Sequence, residues 1–178
     1  WMSYLGRSCY LLQQGRNVAD ILYYYGENNN ITWISREKLP SIPAGYEFDY
    51  INSSALLNAI KVQNGKLVAQ SGNTYSMLVL DESAKLMTLS VLKKIRDLVK
   101  AGVKVAGEKP LKSPSLADNN TEFQQIVNEI WPSVTTTVTV PTTPDVIISK
   151  TSNKILFRHR EISPIGSDRR AGQGADIY

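Results

Sequence analysis

Three short apolar runs constrain this chain more than any other feature. Residues 18–25 are almost continuously apolar or aromatic, broken only by Asp20, residues 77–80 read Met-Leu-Val-Leu, and residues 103–106 are again short and apolar. Runs of this length without polar alternation are read as strands covered on both faces, the pattern of a parallel sheet. Between the second and third runs lies the best helix in the sequence, residues 88–101. There Leu89, Leu92, Ile95, Arg96 and Val99 recur at helical spacing, Leu98 widens the stripe, and Gly102 ends it. Strands alternating with helices predict a doubly wound α/β domain with a mostly parallel sheet and right-handed crossovers.

The rest of the chain fits around that frame. Residues 3–14 are predicted helical, with Tyr4, Leu5, Leu11 and Leu12 near one face and Gly15 as the terminator. Residues 28–46 read as an irregular excursion broken by Pro40, Pro43 and Gly45, and residues 47–51 as the second strand, with Asn52 or Ser53 capping a short helix to Ile60. Asn64-Gly65 marks a hairpin within residues 62–75. Asn120 or Thr121 is expected to cap a helix that Pro132 stops. Beyond residue 133 the character changes. The alternating Thr and Val of residues 135–140 favour strand, residues 155–160 read as another strand, Gly166, Gly172 and Gly174 mark a loop, and Asp176-Ile177-Tyr178 opens a last strand. The expected organisation is therefore an α/β domain over residues 1–133 and a β-rich extension over 134–178 packed on it.

At 178 residues the chain has the size of one domain, large enough for one sizeable core. Trp1 stands before Met2 and the chain stops within a predicted strand, so it reads as a piece of a longer polypeptide. No signal peptide is recognisable, and no apolar run approaches the roughly 18 residues that would cross a membrane. The net charge is +4, part of it carried by Arg158, Arg160, Arg169 and Arg170. Nucleic-acid binding calls for basic groups interleaved with aromatics, and the aromatics cluster elsewhere, at Tyr23 to Tyr25. No nucleic-acid or membrane partner is expected. A single cysteine, Cys9, excludes an internal disulfide, and a single histidine, His159, leaves little room for a zinc site.

Most catalytic signatures are missing. No G-x-G-x-x-G or phosphate loop follows a strand, and no G-x-S-x-G elbow is present. Cys9 sits among apolar residues of a predicted helix and reads as a buried, inert thiol. In parallel sheets ligands gather beyond the carboxyl ends of the strands. Here that edge carries Gly26 and Glu27, Asn52 and Ser53, Asp81 and Glu82, and Gly107 and Glu108. Paired carboxylates of glycosidase type stay open as a class, weighed against the ordinary reading that these acids cap helices or face water. Glu27 draws most interest because it follows Tyr23-Tyr24-Tyr25-Gly26, and aromatic rings beside a carboxylate suit a sugar face. The ordinary reading is that Tyr23 and Tyr25 pack on one side of a strand and Tyr24 on the other.

Residues 4–8 (Tyr-Leu-Gly-Arg-Ser), 11–16 (Leu-Leu-Gln-Gln-Gly-Arg) and 18–27 (Val-Ala-Asp-Ile-Leu-Tyr-Tyr-Tyr-Gly-Glu) resemble glycoside hydrolase family 106, which contains α-L-rhamnosidases. Residues 43–50, 75–80 and 87–89, Phe157-Arg158-His159-Arg160 and the closing Asp-Ile-Tyr add weaker matches in the same order. The resemblance implies a long, secreted or periplasmic parent with a (β/α)8 catalytic domain. This segment would follow the barrel as a flavodoxin-like, class I glutamine amidotransferase-like domain without the amidotransferase nucleophile. Calcium is associated with the family, but no calcium-type loop appears here, and no cofactor is expected for this chain. The catalytic glutamates of such a parent map onto no position of this sequence, so no catalytic residue is assigned. The implied role is accessory, bracing the barrel, with Tyr25, Glu27 and Asn52 as substrate-facing candidates and carbohydrate met only through the parent enzyme. Two other readings stay open: a carbohydrate-recognition module using Tyr23 to Tyr25 and Trp33, or a small hydrolase pairing Glu27 with Glu108 or Asp81.

Overall fold

A computed structural model describes residues 1–28, 40–147, 157–162 and 175–177. The predicted runs become a four-stranded parallel sheet. Its strands are β2 (Ile21–Tyr24), β3 (Phe48–Ile51), β7 (Met77–Leu80) and β8 (Lys104–Ala106), in the order β3-β2-β7-β8. Ile21 pairs with Phe48 on one side and Met77 on the other, so β2 is central and all four of its side chains are buried.

Strand alternation divides the core in two. Leu22, Tyr24, Leu78, Leu80 and Val105 point to one face. There they meet Leu56 of α2 (Ser53–Asn58), the apolar stripe of α3 (Leu89–Lys100), and Phe123, Ile126, Val127 and Ile130 of α4 (Asn120–Ile130). Ile21, Tyr23, Met77, Val79 and Ala106 point to the other face. No helix covers that face among the described residues. Ile42, Tyr46, Val138 and Val140, from irregular segments, close it instead. The described helices that pack on the sheet all lie on the first face.

Two antiparallel sheets flank the parallel one. The first is the predicted hairpin, β4 (Ile60–Gln63) and β5 (Lys66–Ala69), extended by β6 (Thr74–Tyr75). Asn64 and Gly65, at φ 52° and 73°, make the two-residue turn whose twist matches the paired strands. The second joins β1 (Arg16–Asn17), β9 (Arg160–Ile162) and β10 (Ala175–Ile177) in the order β1-β9-β10. It ties the end of the chain to its beginning, and Arg16 holds Glu161 at 2.9 Å across the pairing. The predicted strand of residues 155–160 begins later than expected, at Arg160, and residues 148–156 lie outside the described residues. So do Trp33, the glycine-marked loop and Tyr178.

Two further expectations need correction. Residues 135–140 form no strand. Thr135 makes one isolated parallel bridge to Ala106, after which the chain crosses the sheet to bury Val138 and Val140 against it. Helix α1 (Met2–Gln13) forms as predicted but buries none of its residues, and Cys9 is exposed rather than buried. Among the described residues no helix is long and apolar enough to cross a membrane.

Helix α3 and helix α1 should respond oppositely to truncation. Leu92 is fully buried, so Leu92→Ala is expected to cost about 2–5 kcal/mol in urea unfolding. Leu11, 45% exposed on α1, should change stability by no more than about 0.5 kcal/mol when truncated to Ala.

Candidate functional site

The carboxyl ends of β2, β3, β7 and β8 bring the sequence-predicted residues to one edge, but each side chain has its own task. Glu27 turns toward α3. Its carboxylate accepts from the Thr88 backbone N–H and, at 2.9 Å, from the Thr88 hydroxyl. The next free amide of that helix, Leu89 N–H, donates to Asp118 at 2.7 Å, and Ser113 donates to the same Asp118 oxygen at 2.6 Å. Thr88, the N-cap, makes no side-chain cap bond of its own. Two remote carboxylates therefore satisfy the start of α3 and face the positive end of its dipole. The Ser113 hydroxyl and the Leu89 amide hold the Asp118 carboxyl below its ordinary range.

Asn52 is the N-cap of α2, as predicted, accepting from Ala55 N–H at 2.8 Å. The cap of α4 is Asn119, one residue before the expected pair, accepting from Glu122 N–H at 3.0 Å. Tyr25 packs edge-on to Tyr50, ring centroids 6.3 Å apart, and Tyr23 packs on the same ring at 5.8 Å. Tyr24 points the other way, into the helical face, with its hydroxyl 3.0 Å from Ser53 Oγ. The tyrosine run is thus alternating packing. Burial pushes the Tyr24 phenol up to about 12.

Asp81 ends β7 and organises the centre of the edge. It accepts from the Tyr23 hydroxyl at 2.8 Å and from Ser83 N–H at 2.8 Å. Burial, and then the bond to Asp81, raise the Tyr23 phenol far above its ordinary range. Glu108 lies 3.7 Å from Lys85, both well exposed. Beside these groups a cavity of about 500 Å³ opens between the sheet edge and the segments that cover the helix-free face. Tyr23, Val79, Leu80 and Ala106 form its floor, residues 41–43 and 136–138 its walls, and Glu82 and Glu108 its acidic rim. Gly107 borders it at φ 154°, where an added Cβ would lie 2.5 Å from that of Leu80. Sequence reasoning placed Glu82 and Glu108 at this edge but singled out Tyr25, Glu27 and Asn52, none of which lines the cavity.

A second polar cluster fastens the closing segment to the sheet. Thr142 donates to Asp20 at 2.8 Å, Tyr46 donates to the Thr142 carbonyl, Arg158 pairs with Glu47, and buried His159 lies 2.7 Å from Asp145. Asp20 Oδ2 has no hydrogen-bond partner among the described residues, and burial raises the Asp20 carboxyl despite the Thr142 bond. Burial likewise raises Glu47 against the pull of Arg158. Among the described residues no three His, Cys, Asp or Glu side chains converge to hold a metal ion.

A family model described as alpha-L-rhamnosidase, glycoside hydrolase family 106, matches residues 1–171. A protein of Formosa agariphila named "Putative beta-glucuronidase" is 40% identical over 134 residues, which is 74% of this chain and 11% of that protein. The structure of a rhamnosidase from Novosphingobium sp. PP1Y is similar with a TM-score of 0.65 at 38% identity, over 74% of this chain and 13% of that one. The chain thus spans only about a tenth of the length of these relatives.

The caps and the buried acid make separable predictions. Glu27→Gln should cost about 1–2 kcal/mol, the range of a lost helix cap, as read by urea unfolding at pH 7. A depressed carboxyl contributes stability above its unfolded value, about pH 4, that is lost as pH falls through the folded value. Asp118→Asn should therefore flatten the acid limb of the stability curve. Asp20 has the opposite sign, since a raised carboxyl is a cost at neutral pH that is relieved as pH falls through its folded value. Asp20→Asn should raise the urea midpoint at pH 7, and the gain should vanish below about pH 4.

Proposed function

We propose a bracing, non-catalytic role for this chain within a larger glycoside hydrolase. It belongs to glycoside hydrolase family 106, and the matched 74% of this chain makes up only 11% and 13% of two relatives, which are therefore about six to seven times its length. One observation carries the reading. Among the described residues helix α1 leaves its large apolar side chains uncovered: Met2, Tyr4, Tyr10, Leu11 and Leu12, with Trp1 at its N-cap, are all exposed, at 45–85%. An isolated helix of about twelve residues is marginal in water, and apolar contact is what usually stabilises it. We infer that another domain of the same polypeptide supplies that contact.

The carboxylates of the sheet edge support the non-catalytic half of the reading. Glu27 is occupied by Thr88, Asp81 by Tyr23 and Ser83, and Glu108 stands near Lys85. A hydrolase pairing Glu27 with Glu108 or Asp81 would need Glu27 released from the helix it caps. In the bracing role, Tyr25, Glu27 and Asn52 stand at the edge turned toward the substrate of the parent enzyme, Glu27 and Asn52 keeping the loop ends in place. The order of the parallel strands along the chain, second-first-third-fourth, agrees with the opening of the flavodoxin-like order and favours an amidotransferase-like ancestry for the domain. The parent would hydrolyse rhamnosidic bonds in plant polysaccharide.

The expected outcome is that the 178-residue chain alone turns over no aryl α-L-rhamnoside. Tyr4→Asp with Leu12→Asp should lower the thermal stability of the longer enzyme while shifting the isolated chain by no more than about 0.5 kcal/mol. Turnover by the isolated chain, abolished by Glu27→Gln, would overturn the proposal.

A further inference from the structure

The cavity at the strand ends has a chemistry that the bracing role does not use. Its floor is apolar, made of Val79, Leu80, Ala106 and the ring of Tyr23. The Tyr23 hydroxyl is already donated to Asp81, so Tyr23 offers a ring rather than a donor. Its rim is the reverse. Glu82 and Glu108 present carboxylate acceptors, and the hydroxyls of Ser41, Thr136 and Thr137 can both give and accept. At about 500 Å³ the cavity falls within the range of roughly 300–1,000 Å³ typical of small-ligand sites. It also sits where ligands of parallel sheets gather, beyond the carboxyl ends and beside the point where the strand order reverses.

An occupant must present an apolar face to the floor and hydroxyl donors to the rim. A pyranose does both, with C–H groups on one face and hydroxyls around its edge. An anion would be repelled by the two carboxylates. A metal ion is disfavoured because two carboxylates are available rather than a converging set of three, and Glu108 already lies 3.7 Å from the Lys85 ammonium. We propose that this cavity binds one neutral sugar residue, its apolar face laid on the sheet edge and its hydroxyls donated to Glu82 and Glu108. The proposal goes beyond the bracing role, and the two can fail separately, since no residue of α1 lines the cavity.

The test is a titration of the isotope-labelled 178-residue chain with the methyl glycosides of L-rhamnose, D-glucose and D-galactose, followed by backbone amide shifts. D-Glucuronate and calcium chloride serve as the anionic and cationic probes. At least one neutral glycoside should give saturable shifts at Glu82, Gly107, Glu108 and residues 136–138, with a Kd on the order of 1 mM. Glucuronate should bind at least about tenfold more weakly. The double variant Glu82→Gln and Glu108→Gln should weaken the glycoside about tenfold, the scale of losing charge-assisted acceptors. Thr137→Trp, at an exposed wall position, should block the cavity by bulk with the melting temperature unchanged, which separates lost binding from lost folding. The proposal is overturned if no neutral glycoside gives saturable shifts, if the shifts fall elsewhere or survive both variants, or if calcium moves the same amides more strongly than sugar.

Discussion

The burial of α3 between α2 and α4 on the parallel sheet is the constraint from which the rest of this structure follows. Leu89, Val91, Leu92, Ile95 and Leu98 are all removed from water along that helix. A helix so deeply packed cannot leave its first amides open without a penalty of the size of a lost hydrogen bond. Glu27 and Asp118 meet that demand from opposite directions, one from the loop after β2 and one from the loop before α4. The central strand, the central helix and the entry to the last helix are thereby tied at one end. The sheet edge that would hold a ligand in many α/β proteins is here partly given over to holding the fold.

The opposite face is built by different means. Without helices there among the described residues, the sheet is closed by Ile42, Tyr46, Val138 and Val140, and these segments are fastened by polar ties rather than by packing alone. Asp20 to Thr142, Glu47 to Arg158 and His159 to Asp145 all bind the later chain to the first two strands of the sheet or to itself. Irregular cover seldom fills a face as evenly as a helix does. The cavity beside Tyr23 and Gly107 is the gap this cover leaves at the strand ends.

How much of this the sequence disclosed depended on how local the cause was. The apolar runs gave β2, β7 and β8 because covering a strand on both faces leaves a mark within the strand itself. The Asn64-Gly65 turn, the Asn52 cap and the stripe of α3 were legible for the same reason. The remote caps were not, since Glu27 and Thr88 are 61 residues apart and Leu89 and Asp118 are 29 apart. A signal did exist: an N-cap Thr followed by no acidic residue in the first turn implies acceptors from elsewhere. Cys9 was misplaced because an apolar helical face reports that something is to be covered, not whether the cover lies in the same chain. Residues 135–140 were misread because Val138 and Val140 alternate to meet a sheet face rather than to join a ladder.

These cases share one physical point about the acids of the sheet edge. A carboxylate placed at a helix start, like Glu27, or under a buried phenol, like Asp81, is stabilised by the donors it satisfies, and it cannot exchange them for a substrate without weakening the fold. Glu82 and Glu108 differ. Glu82 is exposed, Glu108 faces Lys85 at 3.7 Å across solvent-exposed, screened surface, and both border open volume rather than a helix end. Residue type alone does not separate the two groups, because all four acids follow strand ends in the sequence. What separates them is whether the carboxylate already satisfies donors of the fold, the start of α3 for Glu27 and the Tyr23 hydroxyl and Ser83 amide for Asp81. By that criterion the structural and the recognition functions of the edge fall on different residues, and the second can change without disturbing the first.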